Sequence, residues 1–73
     1  MPKLPIISGD ELVRALAKLG YHVDRTRGSH MGLRCAGRPP LTVLRHRELD
    51  RGTLRGILRD AGLSAEELSE LLK

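Results

Sequence analysis

YHVDRTRGSHMGLRCAGRPPLTVL, residues 21–44, decides the fold, because apolar and polar residues alternate through it and glycine or proline punctuates it twice. Three strands in a meander follow, with turns at Arg27-Gly28-Ser29 and at Gly37-Arg38-Pro39-Pro40. Tyr21 and Val23, then Met31, Leu33 and Cys35, then Leu41 and Val43 are expected to form one apolar face that packs on helices. The opposite face then carries His22, Asp24, Thr26, His30, Gly32, Arg34, Thr42 and His46, with Leu44 as its apolar exception. All three histidines of the chain fall on that polar face.

On either side of this stretch the period is helical. Ser8 with Glu11 three residues later makes a capping box, Leu12, Val13, Ala15, Leu16 and Leu19 share a stripe, and Gly20 supplies a left-handed stop, so a helix is expected over about residues 9–19. Downstream, Arg51-Gly52-Thr53 opens a second helix whose stripe is Leu54, Ile57, Leu58 and Ala61, and Gly62 ends it. Ser64 with Glu67 repeats the capping box ahead of Leu68, Leu71 and Leu72, predicting a short third helix. One α+β domain over residues 1–73 results, a three-stranded sheet with helices on one face and the other face open. The order helix, three strands, helix is that of double-stranded-RNA-binding domains, with a short extra C-terminal helix.

Composition narrows the function. No apolar run approaches the roughly 18 residues of a membrane span, and Met1 to Ile7 lacks the features of a secretory signal, so no membrane association and a cytoplasmic location are expected. Cys35 is the only cysteine and is expected to be a small core residue. Net charge is +1 from Met1 to Gly20, +5 from Tyr21 to Arg47 and −2 from Glu48 to Lys73, which localises an anion-binding surface to the strands. One tyrosine, with no phenylalanine or tryptophan, excludes the aromatic stacking platforms of most single-strand RNA binders. Contact to the RNA backbone by Arg25, Arg27, Arg34, Arg38, Arg45 and Arg47 is the more economical reading.

Within the basic stretch, the turn at Gly28-Ser29 exposes backbone N–H groups and delivers His30 onto the open face. Cleavage of RNA by its own 2′-hydroxyl requires a base for that hydroxyl, cations for the charged phosphorane and an acid for the leaving 5′-oxygen. Histidine titrates near neutral pH and serves either proton role. Arg25, Arg27, Arg34 and Arg45 are the charge-stabilising candidates, with Gly28 and Ser29 as a phosphate seat. Gly52-Thr53 at the start of the second helix is either a further phosphate site or an ordinary cap. Three dispersed histidines and few carboxylates on the basic face make no recognisable metal-ligand set, so neither metal nor cofactor is expected.

Ser8-Gly9, Gly20-Tyr21, Arg27-Gly28-Ser29-His30, the third strand running on to His46, Gly52-Thr53-Leu54-Arg55 with Ile57-Leu58, and Ala61-Gly62-Leu63-Ser64 together resemble the HicA-type toxins of bacterial toxin–antitoxin pairs. The resemblance covers nearly the whole chain. It implies a double-stranded-RNA-binding-like fold, metal-independent cleavage of mRNA, growth arrest, and neutralisation by a HicB-type antitoxin that covers the active site. By match to the Gly-Ser-His motif, His30 is the family's catalytic residue. The chain departs from many members in having Met31 where a second histidine follows the first, and Leu44 where the third strand has a proline. Alternation turns Met31 into the core, so its identity removes no group from the polar face.

Strand register supplies one more expectation. A hairpin centred near Gly28 sets Thr26 opposite His30 and leaves His22 roughly 13 Å along the strand, too far to share a phosphate. A symmetric connection from Ala36 to Pro40 pairs Cys35 with Leu41 and sets His46 opposite His30 as an acid–base partner. Two other readings of the basic face are a module that binds double-stranded RNA without cutting it, and a domain that docks an acidic protein.

Overall fold

Ser8 accepts the Glu11 N–H at 3.0 Å while Glu11 accepts the Ser8 N–H at 2.9 Å, closing the expected capping box and starting helix α1 at Gly9. In the computed structural model, which describes residues 3–73, α1 spans Gly9–Ala17 and a turn carries the chain through Gly20, whose φ is 106°. The first two residues of the domain expected over 1–73 lie outside the described residues. Strands β1 (His22–Arg27), β2 (His30–Cys35) and β3 (Arg38–Leu44) follow, then helices α2 (Arg51–Ala61) and α3 (Ala65–Leu71). The fold is the expected α+β order of a helix, three strands and two helices.

The sheet is antiparallel in the order β1-β2-β3. Met31, Leu33, Leu41 and Val43 are buried from its one face, against Leu12, Ala15 and Leu16 of α1, Leu54, Ile57, Leu58 and Ala61 of α2, and Leu68 of α3. All the helices therefore share a layer. Among the described residues, nothing covers the other side of the sheet. Val23 faces the core side opposite Leu33 but remains 42% exposed, because β1 is an edge strand with none of its residues buried. Cys35 is half-buried and packs on the core as expected.

Ile7 and Leu49 are buried although neither belongs to a helical stripe or to the strand alternation. Each stands just before a helix cap, Ser8 and Asp50, and four positions into those helices come Leu12 and Leu54. This is hydrophobic-staple spacing, in which an apolar residue ahead of the cap packs with one in the first turn. Leu63 and Leu68 repeat it around Ser64. The Leu49 N–H donates to the Ile7 carbonyl at 2.8 Å, so the two staples are also joined through the backbone.

Both hairpins are tighter than expected, and register changes as a result. Gly28 and Ser29 form a two-residue turn, with Gly28 at φ 59°, which pairs Arg27 with His30 and Thr26 with Met31. Glycine at the first central position is what a type II′ hairpin turn demands. The second connection is Ala36-Gly37, with Gly37 at φ 78°, so Arg38, Pro39 and Pro40 belong to β3 rather than to the turn. An edge strand tolerates prolines, since a missing N–H there breaks no ladder. Cys35 consequently pairs with Arg38, and after an irregularity Leu33 pairs with Leu41 and His30 with Leu44. The expected pairings of Cys35 with Leu41 and of His30 with His46 are thus both corrected.

Candidate nucleic-acid interface

The irregularity in β1 sets the composition of the open face. Register shifts between Val23 and Arg25, so a bulge at Asp24 reverses the side on which every later residue of β1 emerges. Residues directly opposite in an antiparallel pair project to the same side. Arg25 opposite Gly32 and Arg27 opposite His30 therefore lie on the open face, and Thr26, opposite Met31, turns to the helical side instead of the polar face expected from strict alternation. The side-chain geometry agrees: a β-carbon on Gly32 would stand 3.9 Å from the Arg25 β-carbon.

The open face consists of rows across the sheet. One row is Arg27, His30 and Leu44, the next is Arg25, Gly32 and Thr42, and His22 with Arg34 lies beyond. His30 is exposed, bounded by a guanidinium strand on one side and a half-buried leucine on the other. The Arg45 N–H donates to the Ser29 carbonyl at 2.7 Å, which fastens the Gly28-Ser29 turn to the end of β3 and holds His30 at the start of the central strand. His22 is two rows from His30, as expected, opposite Arg34.

The remaining candidates divide. His46 lies two residues beyond Leu44, and its carbonyl accepts the Gly9 N–H at 2.9 Å, which anchors its backbone to the start of α1 rather than opposite His30. Arg45 projects to the helical side: its Nε pairs with Asp10 of α1 at 3.2 Å and its guanidinium meets the Met31 sulfur at 3.4 Å. Arg34 remains on the open face, where its Nε bonds the Asp24 carboxylate at 3.1 Å, both side chains largely exposed. Met31 is buried, as its place in the core requires.

At the start of α2 the Asp50 carboxylate accepts the N–H groups of Gly52 at 3.1 Å and Thr53 at 3.3 Å and is also bonded by the Thr53 hydroxyl. These bonds, the hydroxyl's first, hold its pKa below the ordinary carboxylate value. The helix end is filled by its own cap, so Gly52-Thr53 is the ordinary cap of the two expectations. Asp50 is the residue that sequence reading missed there, although an aspartate just ahead of a helix is the signal for it. Tyr21 is buried with its hydroxyl donating to the Pro39 carbonyl at 2.8 Å, and burial raises its pKa.

Among the described residues no group of three or more histidine, cysteine or acidic side chains is gathered as metal ligands are, and no helix is long and apolar enough to cross a membrane.

Comparison with known proteins places this arrangement in a family. No curated protein sequence matches the chain significantly. A chain from the solved "Toxin-Antitoxin complex from Streptococcus pneumoniae" superposes with a TM-score of 0.69 at 38% sequence identity, covering 78% of this chain and 98% of that one. The family model described as the HicA toxin of bacterial toxin–antitoxin systems matches residues 9–63, from the first residue of α1 to just past α2. The chain belongs to the HicA toxin family.

Proposed function

We propose that this protein is a metal-independent endoribonuclease that cleaves mRNA in the bacterial cytoplasm at His30, and that a HicB-type antitoxin neutralises it by covering the open sheet face. The observation that carries the reading is the placement of His30: exposed, beside a glycine turn, and on the same face as Arg25, Arg27 and Arg34. His30 accepts the proton of a ribose 2′-hydroxyl. That oxygen attacks the adjoining phosphorus, the bond from phosphorus to the 5′-oxygen breaks, and a 2′,3′-cyclic phosphate forms. Arg27 and Arg25 stabilise the added charge on the phosphoryl oxygens, with the backbone of Gly28 and Ser29 beside them. With Leu44 rather than a second imidazole opposite His30, water at this exposed site protonates the leaving 5′-oxygen, and the hydroxide left behind takes the proton from His30 and restores the neutral imidazole.

The family assignment and the toxin–antitoxin complex of the structural relative support the antitoxin partner. An exposed basic face without helical cover is also what an inhibitory protein would need to occlude.

Purified protein incubated with mRNA in EDTA tests the reading. Products ending in 2′,3′-cyclic phosphate and 5′-hydroxyl, absent with His30→Ala, support it. Uncut RNA with retained, salt-sensitive binding would show a binding module instead.

A further inference from the structure

The middle row of the open face has no side chain at its centre. Gly32 separates Arg25 on β1 from Thr42 on β3, and the sheet there forms a recess of about 210 Å³ bordered by Asp24, Arg34 and Pro40. A recess of about 250 Å³ between α1 and α3 is similar in size, but its rim mixes Glu11 with Arg14 and Lys18 and it lies in the helical layer. The sheet recess begins one row from His30, about 6–7 Å at about 3.3 Å per residue, a distance that one sugar–phosphate unit spans.

We propose that this recess seats the nucleotide next to the scissile phosphate, its sugar–phosphate lying on the bare backbone of Gly32, with Arg25 on the phosphate and the Thr42 hydroxyl on the sugar. The inference rests on the RNA-cleaving reading and names the path of the strand: along β2 from His30 toward Arg34. The bulge at Asp24 makes the seat, because without it Arg25 would project to the other side of the sheet. Among the described residues Asp24 is the one carboxylate at the rim and is held by Arg34 at 3.1 Å, so the phosphate lies toward Arg25. Gly32 keeps the seat open: any side chain there occupies the floor.

Gly32 suits a direct test because its replacement leaves the fold room. An added β-carbon meets only the Arg25 carbonyl oxygen at 3.6 Å and the Arg25 β-carbon at 3.9 Å, both ordinary contacts, and valine favours strands. Gly32→Val is compared with the parent in a His30→Ala background, by anisotropy titration with a random-sequence pool of single-stranded RNA oligonucleotides at low salt, alongside thermal melts. The expected result is an unchanged or higher Tm with affinity reduced about tenfold or more, and a partial reduction for Gly32→Ala. Thr42→Val, which leaves the floor open, is expected to lose less than Gly32→Val. Equal affinities for Gly32→Val and its parent would overturn the seat while leaving RNA binding intact. Absence of RNA binding by the His30→Ala parent, with wild-type protein also leaving RNA uncut, would overturn the underlying reading and the seat with it.

Discussion

Arg27 stands directly opposite His30 across the two-residue Gly28-Ser29 turn, so guanidinium and imidazole leave the sheet on the same side. The pairing brings a fixed positive charge beside the proposed proton carrier, while Leu44 on the other neighbouring strand offers no second imidazole.

His30 and His46 should therefore behave unequally. His30→Ala is expected to lower the rate of RNA cleavage by about 10²-fold or more, the range for loss of a general acid or base. His46→Ala is expected to stay within about tenfold of wild type. Single-turnover cleavage of one RNA by both variants makes the comparison, and equal losses would restore His46 as a partner in the chemistry.

The arginines divide by face. Arg25→Ala and Arg27→Ala are each expected to weaken RNA binding and to reduce the slope of log affinity against log salt by about 0.7–1, one phosphate contact apiece. Arg45→Ala should leave that slope unchanged, since its guanidinium is turned to Asp10 and Met31 on the helical side. Titrations across a salt series measure all three.

Gly9 and Gly56 should respond to alanine with opposite signs. A helical glycine replaced by alanine ordinarily gains up to about 1 kcal/mol, and Gly56 of α2, whose added β-carbon would meet only the end of the Arg59 side chain at 3.8 Å, should gain it. At Gly9 the same β-carbon would stand 1.9 Å from the Leu44 carbonyl oxygen. Backbone must move there, so Gly9→Ala is expected to destabilise by about 3 kcal/mol or more and to lower Tm by more than about 10 °C. Thermal melts of the two variants decide it.

The helix caps predict the acid limb of stability. Backbone hydrogen bonds from Ser8 and Ser64 hold the pKa values of Glu11 and Glu67 below their ordinary 4.5, and Asp50 is held below its ordinary 3.8. A carboxylate whose pKa is lowered on folding stabilises fully above its ordinary value, and this contribution is lost as pH falls through the lower folded value. Tm should thus be nearly level down to about pH 5 with respect to these groups and decline below it. Glu67→Gln, which keeps a hydrogen-bonding side chain but not the charge, should flatten that decline; melts as a function of pH that superpose for variant and wild type would contradict the assignment.

Much of this architecture was legible from residues 8–72 because its signals are local. Two Ser-x-x-Glu boxes start α1 and α3, glycines stop α1 and α2, and alternation in β2 places Met31 inside and His30 outside. Register was less legible because it depends on turn length and on bulges. Reading Arg38-Pro39-Pro40 as turn displaced the partner of His30 from Leu44 to His46. The bulge at Asp24 left no mark in composition, yet it moves Arg25 and Arg27 to the side of His30. One clue was available: glycine at the first central position of a two-residue turn pairs the flanking residues, Arg27 and His30, directly. Ile7 and Leu49 escaped the periodic reading because staples sit just outside the helices they serve.

The proposed function requires RNA to lie on the open sheet face, along β2 and beside Arg27. Amide chemical-shift mapping of wild-type protein with 2′-O-methyl RNA, whose blocked 2′-oxygen prevents cleavage, tests it most directly. Perturbations are expected to be confined to residues from Arg25 to Arg34 and around Thr42 and Leu44, with α3 silent. Perturbations centred on α1 and α3, with the Gly28-Ser29-His30 segment unmoved, would contradict it.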